Sequence, residues 1–252
     1  SPDFGVQGVV DRFKQIEPKI LITSDYYFYN GKKIIILDKV KEILNKIPSI
    51  QKTIVFNYDK RETNKMTNYT HFEDALQNSL DENFERFDFN HPIYILYSSG
   101  TTGKPKCITH GAGNVLIEHN KEFMLHCDIK NNEKLFYYTT TGWMMWNWLV
   151  GGMATGASIF LFDGAPTYPK IDILLEYCQN KKINLFGVSA KYIDHLKNEN
   201  FLNKKNDLSS IKIIASTGSP LSKESFVYVY EKIKKNVQLT SIAGGTDLVG
   251  CL

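Results

Sequence analysis

Short apolar segments alternate with amphipathic segments along the whole chain, and this alternation constrains the fold more than any other feature. The short segments are rich in Ile, Val, Phe and Tyr, as in "KILIT", "KTIVFN" and "INLFGV". The longer segments, such as "VKEILNKI" and "IDILLEYCQNK", repeat their apolar residues at helical spacing. Strands that alternate with helices predict parallel sheets covered by helices. We therefore predict an α/β fold of two stacked parallel-sheet subdomains, residues 1–128 and 129–252.

Strands and helices are predicted at definite places. The further predicted strands are "IYILY", "KLFYYTT", "SIFLFD", "KIIAST" and "VQLTSI". The further predicted helices are "GVQGVVDRFKQIE", a short one near "FEDAL", residues 113–126, "MMWNWLVGGMA", a helix through "YIDHLKN", and "SKESFVYVYEKIKK". Residues 135–162 carry no charge, but glycines, threonines and an asparagine interrupt them. We interpret them as strand, loop, buried helix and strand rather than as a membrane span.

Composition excludes several classes of protein. The chain has 252 residues and a net charge of +3, with lysines spread among acidic residues, so no basic stripe predicts a nucleic-acid surface. Its four cysteines are far apart and form no CxxC pair, which argues against a disulfide framework or a zinc knuckle. That pattern is typical of a reducing compartment, and we predict the cytosol.

One loop contains an unusual concentration of hydroxyl and glycine residues. "YSSGTTGKPK", residues 97–106, directly follows an apolar run. Such a loop is either an ordinary exposed turn or a phosphate cradle, in which glycines let backbone N–H groups approach an anion. It is not a Walker A motif, because Gly100 and Gly103 are only three residues apart.

Similar loops follow other predicted strands. They are "TTTGW", "DGAPTYP", "STGSPLS" and "AGGTDLVG". Ligands of such folds bind beyond the carboxyl ends of the strands. Several glycine- and hydroxyl-rich loops at equivalent strand ends therefore predict a nucleotide site.

These loops together resemble those of the adenylate-forming superfamily of acyl-CoA synthetases, luciferases and peptide-synthetase adenylation domains. "YSSGTTGKPK" is similar to its phosphate-loop motif, "STGSPLS" to its adenine motif and "GGTD" to its Tyr-Gly-x-Thr-Glu motif. The stretches "SPDFGVQGVVDRFKQIEPKIL" and "TTTGWMMWNW" most resemble the acetoacetate-activating members. The resemblance covers essentially the whole chain.

The resemblance implies an activity. A carboxylate, here acetoacetate, attacks the α-phosphate of MgATP, and CoA then displaces AMP from the acyl adenylate, as part of ketone-body and lipid metabolism. The implied ligands are therefore ATP, Mg2+, CoA and a small acid, with no nucleic acid and no membrane span. The resemblance also implies a C-terminal domain of the same chain that closes over the site, without which residues 1–252 are expected to be inactive.

The resemblance also implies site residues, by position. The β- and γ-phosphates of ATP would be held by Ser98, Ser99, Gly100, Thr101, Thr102, Gly103 and Lys106. Adenine would lie along Gly218, Ser219 and Pro220. Thr246 would touch the α-phosphate, and Asp247 would hold Mg2+, directly or through water, unless it is only a helix N-cap or an Asx turn. Lys106, Thr246 and Asp247 form the implied catalytic set.

Five residues are predicted to line the acid pocket. They are Trp143, Met144, Met145, Thr217 and Gly244. Acetyl-CoA synthetases carry a tryptophan at the position of Gly244, so its absence implies room for a longer acid. Thr217 would donate a hydrogen bond to a 3-keto oxygen. The alternatives are that Gly244 serves a turn with positive φ and that Thr217 bonds only to the backbone.

Other functions remain open from the residues alone. They are another short-chain acyl-CoA synthetase and a non-catalytic nucleotide-binding module. A kinase or GTPase P-loop is disfavoured by the glycine spacing, and a serine hydrolase by the absence of a Gly-x-Ser-x-Gly elbow.

Overall fold

The structure, a computed structural model, describes residues 2–58, 69–76, 84–98 and 103–252. Contacts between Cα atoms divide the chain into two units. The first contains Ser1–Asp88 and Tyr97–Ile108, and the second contains Phe89–Leu96 and Thr109–Leu252. Residues 109–128 thus group with the second unit, and the subdomain boundary after residue 128 stays a prediction.

The first unit contains a small parallel sheet with helices. Its elements are α1 (Val6–Phe13), β1 (Ile20–Ser24), β2 (Tyr26–Tyr29), β3 (Lys32–Ile35), α2 (Leu37–Lys46), β4 (Lys52–Phe56), β5 (Thr70–His71) and α3 (Phe72–Ala75). The sheet has the order β1–β4–β5, with both pairs parallel. Apolar side chains of α1 and α2, including Val9 and Ile43, form a small core with Ile47.

The hairpin of β2 and β3 was not predicted, although the sequence contains a signal for it. The two strands are antiparallel and are joined by Asn30 and Gly31, which have φ values of +47° and +74°. Asn-Gly is the favoured pair for a two-residue turn that requires positive φ at both positions. The dipeptide was therefore sufficient to predict this hairpin.

Two strands connect the units in sequence. β6 (Pro92–Ser98) pairs with β7 (Lys106–Gly111), and the division between the units falls within both strands. Residues 99–102 between them lie outside the described residues, and so do the predicted phosphate-binding residues Ser99, Gly100, Thr101 and Thr102.

The second unit is a five-stranded parallel sheet with helices on both faces. Its remaining elements are α4 (Ala112–Asn120), a π-helix (Lys121–His126), β8 (Lys134–Tyr137), α5 (Met144–Gly151), a 3₁₀ turn (Gly152–Thr155), β9 (Ser158–Phe160), α6 (Ile173–Lys181), β10 (Leu185–Ser189), α7 (Ala190–Asn198), β11 (Ile213–Thr217), α8 (Lys223–Tyr228), a second π-helix (Val229–Ile233), β12 (Gln238–Ser241), β13 (Gly244–Gly245) and β14 (Gly250–Cys251). The order of the sheet is β12–β11–β10–β8–β9.

Alternate residues of the central strands enter two different cores. Leu135 and Ile213 pack with α4 and α5, whereas their neighbours Phe136 and Ile214 pack with α6, α7 and α8. Side chains alternate across a strand, so a sheet that is covered on both faces needs apolar residues at successive positions. This explains why the strands were recognisable as continuous apolar runs.

The structure confirms the α/β class and every predicted strand and helix, including the strand, helix and strand within residues 135–162. In the described ranges, no helix is long and apolar enough to cross a membrane. The predicted helix over residues 113–126 changes from α to π geometry at Lys121. Besides β2 and β3, sequence reasoning missed β7 and the two-residue strands β5, β13 and β14.

Candidate functional site

Predicted site residues follow three parallel strands of the second unit, of which β11 and β12 are neighbours and β8 is separated from β11 by β10. β8, β11 and β12 run parallel within the same sheet, so their carboxyl ends share one edge. Trp143 follows β8, Gly218 follows β11, and Gly244 follows β12. The structure thereby places Trp143, Gly218 and Gly244 in segments that follow strands at one sheet edge, whereas Met144 and Met145 lie in α5.

The end of β11 connects two of these loops. The Thr217 hydroxyl donates a hydrogen bond to the main-chain carbonyl of Ile242, at 2.7 Å. Gly218 has a φ of +89°, which glycine adopts readily, and it is exposed together with Ser219 and Pro220. The backbone at Gly218 is consequently accessible, as the adenine assignment requires.

Trp143 lies beside this loop. A Cβ atom built on Gly218 would lie 4.0 Å from Cζ2 of Trp143, whose ring packs edge-on against Tyr137 with centroids 5.9 Å apart. The methionines that follow are more deeply buried. Met144 is 8% exposed and Met145 is 0% exposed, and the Met145 sulfur lies 3.5 Å from the Cys251 sulfur. Met145 is therefore a core residue that touches strand β14.

The segment 244–251 forms a small antiparallel hairpin, which we call the motif hairpin. Gly244 of β13 is paired with Cys251 of β14, and a Cβ atom on Gly244 would lie 2.1 Å from the carbonyl oxygen of Gly250. Such a contact is far shorter than van der Waals distance. Gly244 does not have a positive φ, so close backbone approach, rather than a left-handed turn, is what requires glycine here.

The turn of the motif hairpin carries the two remaining predicted residues. Thr246 is half-buried and Asp247 is exposed, and the N–H groups of Leu248 and Val249 both donate to the Gly245 carbonyl. Thr246 and Asp247 thus lie in a hydrogen-bonded turn of the segment that follows β12. Their assigned contacts with phosphate and magnesium stay predictions.

Three side chains that hold the motif hairpin were given no role by sequence reasoning. A ring nitrogen of His110 lies 2.8 Å from the Thr246 carbonyl oxygen, and one of His119 lies 2.7 Å from the Val249 carbonyl oxygen. The Cys251 N–H donates to Glu122 at 2.6 Å. No local pattern reveals these contacts, because their partners lie at the other end of the sequence.

The Glu122 carboxyl is buried. It is 3% exposed and also accepts a hydrogen bond from the indole N–H of Trp148. Burial and the neighbouring Glu118 raise the pKa of Glu122 to about 7, although the two N–H donors oppose this shift. A glutamate with such a pKa keeps its proton at pH values at which a glutamate in water is already ionised.

The described part of the phosphate loop belongs to the first unit. Ser98 ends β6, Gly103 has a φ of +153°, and Lys106 begins β7 with an exposed side chain. The side-chain amide of Gln15 donates to the Pro105 carbonyl oxygen at 2.8 Å. This hydrogen bond connects the end of the loop to the segment that follows α1.

Comparison with known proteins agrees with this architecture. A model of the family described as "AMP-binding enzyme" matches residues 1–251, and the chain belongs to that family. The chain is similar to the acetoacetyl-coenzyme A synthetase of Rhizobium meliloti (strain 1021), at 46% identity over 256 residues, which cover 100% of this chain and 39% of that protein. It is 43% identical to the acetoacetyl-CoA synthetase of Gallus gallus, again over 100% of this chain and 39% of the relative.

A solved structure shows the same fold. The acetoacetyl-CoA synthetase from Streptomyces lividans matches 99% of this chain and 39% of its own, with a TM-score of 0.93 and 37% sequence identity. The sequence thus spans 39% of the length of these relatives, and their full activity comes to this chain only as a proposal.

Proposed function

We propose that the full-length protein containing this chain is an ATP-dependent acid–thiol ligase that activates acetoacetate and transfers it to CoA. The observation that carries the proposal is the meeting of the loops after β11 and β12, through the hydrogen bond from Thr217 to Ile242, with Trp143 beside Gly218. A continuous set of loops at one sheet edge is suited to an acid next to a nucleotide.

The proposed chemistry has two steps. An acetoacetate carboxylate oxygen attacks the α-phosphorus of ATP, the bond to the bridging oxygen breaks, and pyrophosphate leaves with that electron pair. The CoA sulfur then attacks the acyl carbonyl, AMP leaves, and the thiol proton passes to solvent. Lys106 and the hydroxyl-rich loop would stabilise the charge that pyrophosphate gains in the first step.

Thr246 and Asp247 would face the reacting phosphate. The Thr246 hydroxyl can donate to an α-phosphate oxygen while its main chain stays fixed by the turn. Asp247 offers one exposed carboxylate, which fits magnesium because that ion commonly binds one or two carboxylates together with substrate phosphates. When bound, magnesium would neutralise phosphate charge.

The reaction is assigned to the cytosol. All four cysteines, Cys107, Cys127, Cys178 and Cys251, are free. Unpaired cysteines in a chain of this size fit a reducing compartment.

Acid-dependent exchange between pyrophosphate and ATP tests the proposal. In the full-length protein, we expect labelled pyrophosphate to enter ATP only when acetoacetate is present, and added CoA to yield acetoacetyl-CoA and AMP. Exchange that requires a different short acid would instead identify another acyl-CoA synthetase. ATP binding without acid-dependent exchange would identify a non-catalytic nucleotide-binding module.

The role of Thr217 has a separate test. Its only proton is already donated to Ile242, and a keto oxygen can only accept, so direct donation to the acid would require giving up this bond. We expect Thr217→Val to lower kcat/KM for acetoacetate and acetate in equal proportion, by roughly fivefold, because a lost hydrogen bond of about 1 kcal/mol loosens the loop. A loss confined to acetoacetate would show that the hydroxyl binds the acid.

A further inference from the structure

The motif hairpin is held by three side chains from one continuous stretch of the chain. His110 lies near the end of β7, His119 lies in the last turn of α4, and Glu122 lies in the π-helix that follows. They contact the Thr246 carbonyl, the Val249 carbonyl and the Cys251 N–H, in the same order along the sequence. The backbone of the hairpin is thus held at three points along its length.

The proton positions in these contacts follow from the acceptors. A main-chain carbonyl has no proton to give, so Nε2 of His110 and Nε2 of His119 must each carry the hydrogen. His119 is 1% exposed, and burial lowers its pKa, which favours the neutral ring. A Cβ atom on Gly151 would lie 1.9 Å from Nδ1 of His119, so the backbone of α5 fits closely against the ring.

The hairpin also contains a strained residue. Val249 has a φ of +51° and is 2% exposed. The left-handed region is unfavourable for a β-branched side chain, so such a conformation persists only where the surroundings enforce it. The Val249 N–H donates to the Gly245 carbonyl and holds the backbone before this residue. The bonds of His119 to the Val249 carbonyl and of Glu122 to the Cys251 N–H hold the backbone after it.

His110 is the member of this set that acts on the proposed catalytic residue. Its hydrogen bond holds the Thr246 carbonyl, which belongs to the peptide group between Thr246 and Asp247. His119 and Glu122 instead bond to Val249 and Cys251, which follow these two residues in the chain. We propose that His110 is a positioning residue for adenylation, which sets the direction of the Thr246 hydroxyl through the Thr246 main chain. This inference rests on the proposed function. His110 itself contacts no substrate in this assignment.

Variants of the full-length protein test the inference. His110→Ala removes the N–H donor, His110→Gln keeps an N–H at about the reach of Nε2, and His110→Asn keeps an amide that is too short. His126→Ala is the matched control, because His126 is an exposed histidine at the end of the same stretch. The measurements are kcat and KM for ATP in pyrophosphate exchange, the thermal midpoint, and the Kd of acetoacetyl sulfamoyl-adenosine, an unreactive analogue of the acyl adenylate.

We expect His110→Ala to lower kcat about tenfold and to weaken analogue binding about tenfold, with KM for ATP changed less than about threefold, because misplaced catalytic groups lose transition-state contacts first. His110→Gln should restore both kcat and Kd, and His126→Ala should match the wild type. If His110→Ala does not fold, the comparison of His110→Gln with His110→Asn carries the test, and only the longer amide should approach wild-type kcat.

The results of these experiments distinguish a failure of the positioning role of His110 from a failure of the ligase assignment. Wild-type kcat and Kd in His110→Ala, or equal losses in the Gln and Asn variants, would overturn the positioning role while leaving the ligase assignment intact. A wild-type protein without acid-dependent exchange would overturn the proposed function, and the inference with it.

Discussion

The full-length protein carrying Gly244→Trp is expected to activate acetoacetate at least tenfold less well, relative to acetate, than the wild type does. If Gly244 lines the acid pocket, a tryptophan there occupies the space of the longer acid, and forcing a group into filled space costs about 1–3 kcal/mol. The measurement is acid-dependent pyrophosphate exchange with both acids side by side. An unchanged preference ratio would show that Gly244 does not set acid size.

The geometry of Gly244 requires a control for this experiment. Any side chain at this position begins with a Cβ atom 2.1 Å from the Gly250 carbonyl oxygen and 2.8 Å from the Cys251 Cα, so it must displace β14. Gly244→Ala is the control, because it introduces the same Cβ contact with β14 but lacks the bulky indole ring. We expect Gly244→Ala to slow both acids in the same proportion, and the ratio of the two acids then isolates the pocket effect.

Lys106→Ala in the full-length protein is expected to lower kcat/KM for ATP roughly ten- to hundredfold. Removing one charge-assisted contact to phosphate costs on the order of 1.5–3 kcal/mol. Lys106 is exposed, so its removal leaves no buried partner and should hardly change the thermal midpoint. Steady-state kinetics with ATP as the varied substrate measures the effect.

Lys104→Ala is the matched control for Lys106→Ala. Both lysines are exposed and lie two positions apart, but Lys104 is interpreted as a solvated residue at the tip of the loop. Equal losses in the two variants would indicate a general effect of positive charge rather than a specific contact. Wild-type kinetics in Lys106→Ala would contradict the phosphate-loop assignment itself.

Most elements of the fold were predictable because their signals are local. The continuous apolar run of β10 (Leu185–Ser189) and the helical spacing of α6 (Ile173–Lys181) each lie within a few residues of sequence. The missed strands β13 and β14 have two residues each, which is too short for any periodicity. The hairpin of β2 and β3 is different, because its Asn30-Gly31 signal was present in the sequence.

The loops of the candidate site could be predicted from the sequence, but the side chains that hold these loops by hydrogen bonds could not. Glycine and hydroxyl residues after β11 and β12 indicate a nucleotide from composition alone. His110, by contrast, gains its role only through a carbonyl 136 residues further along the chain. Gly244 is intermediate: the sequence shows a glycine, and only the neighbouring Gly250 carbonyl shows that close approach is the reason for it.

The sequence by itself determined the α/β architecture and the resemblance to the adenylate-forming enzymes, and it predicted the strand ends at which ligands would bind. These depend on hydrophobic spacing and on loop composition, which are properties of neighbouring residues. Only the tertiary structure decided that Thr217 bonds to Ile242, that Met145 lies in the core against Cys251, and that His110, His119 and Glu122 hold the motif hairpin. Hydrogen bonds and contacts of this kind form only when the chain folds, because folding brings together atoms that are distant in sequence.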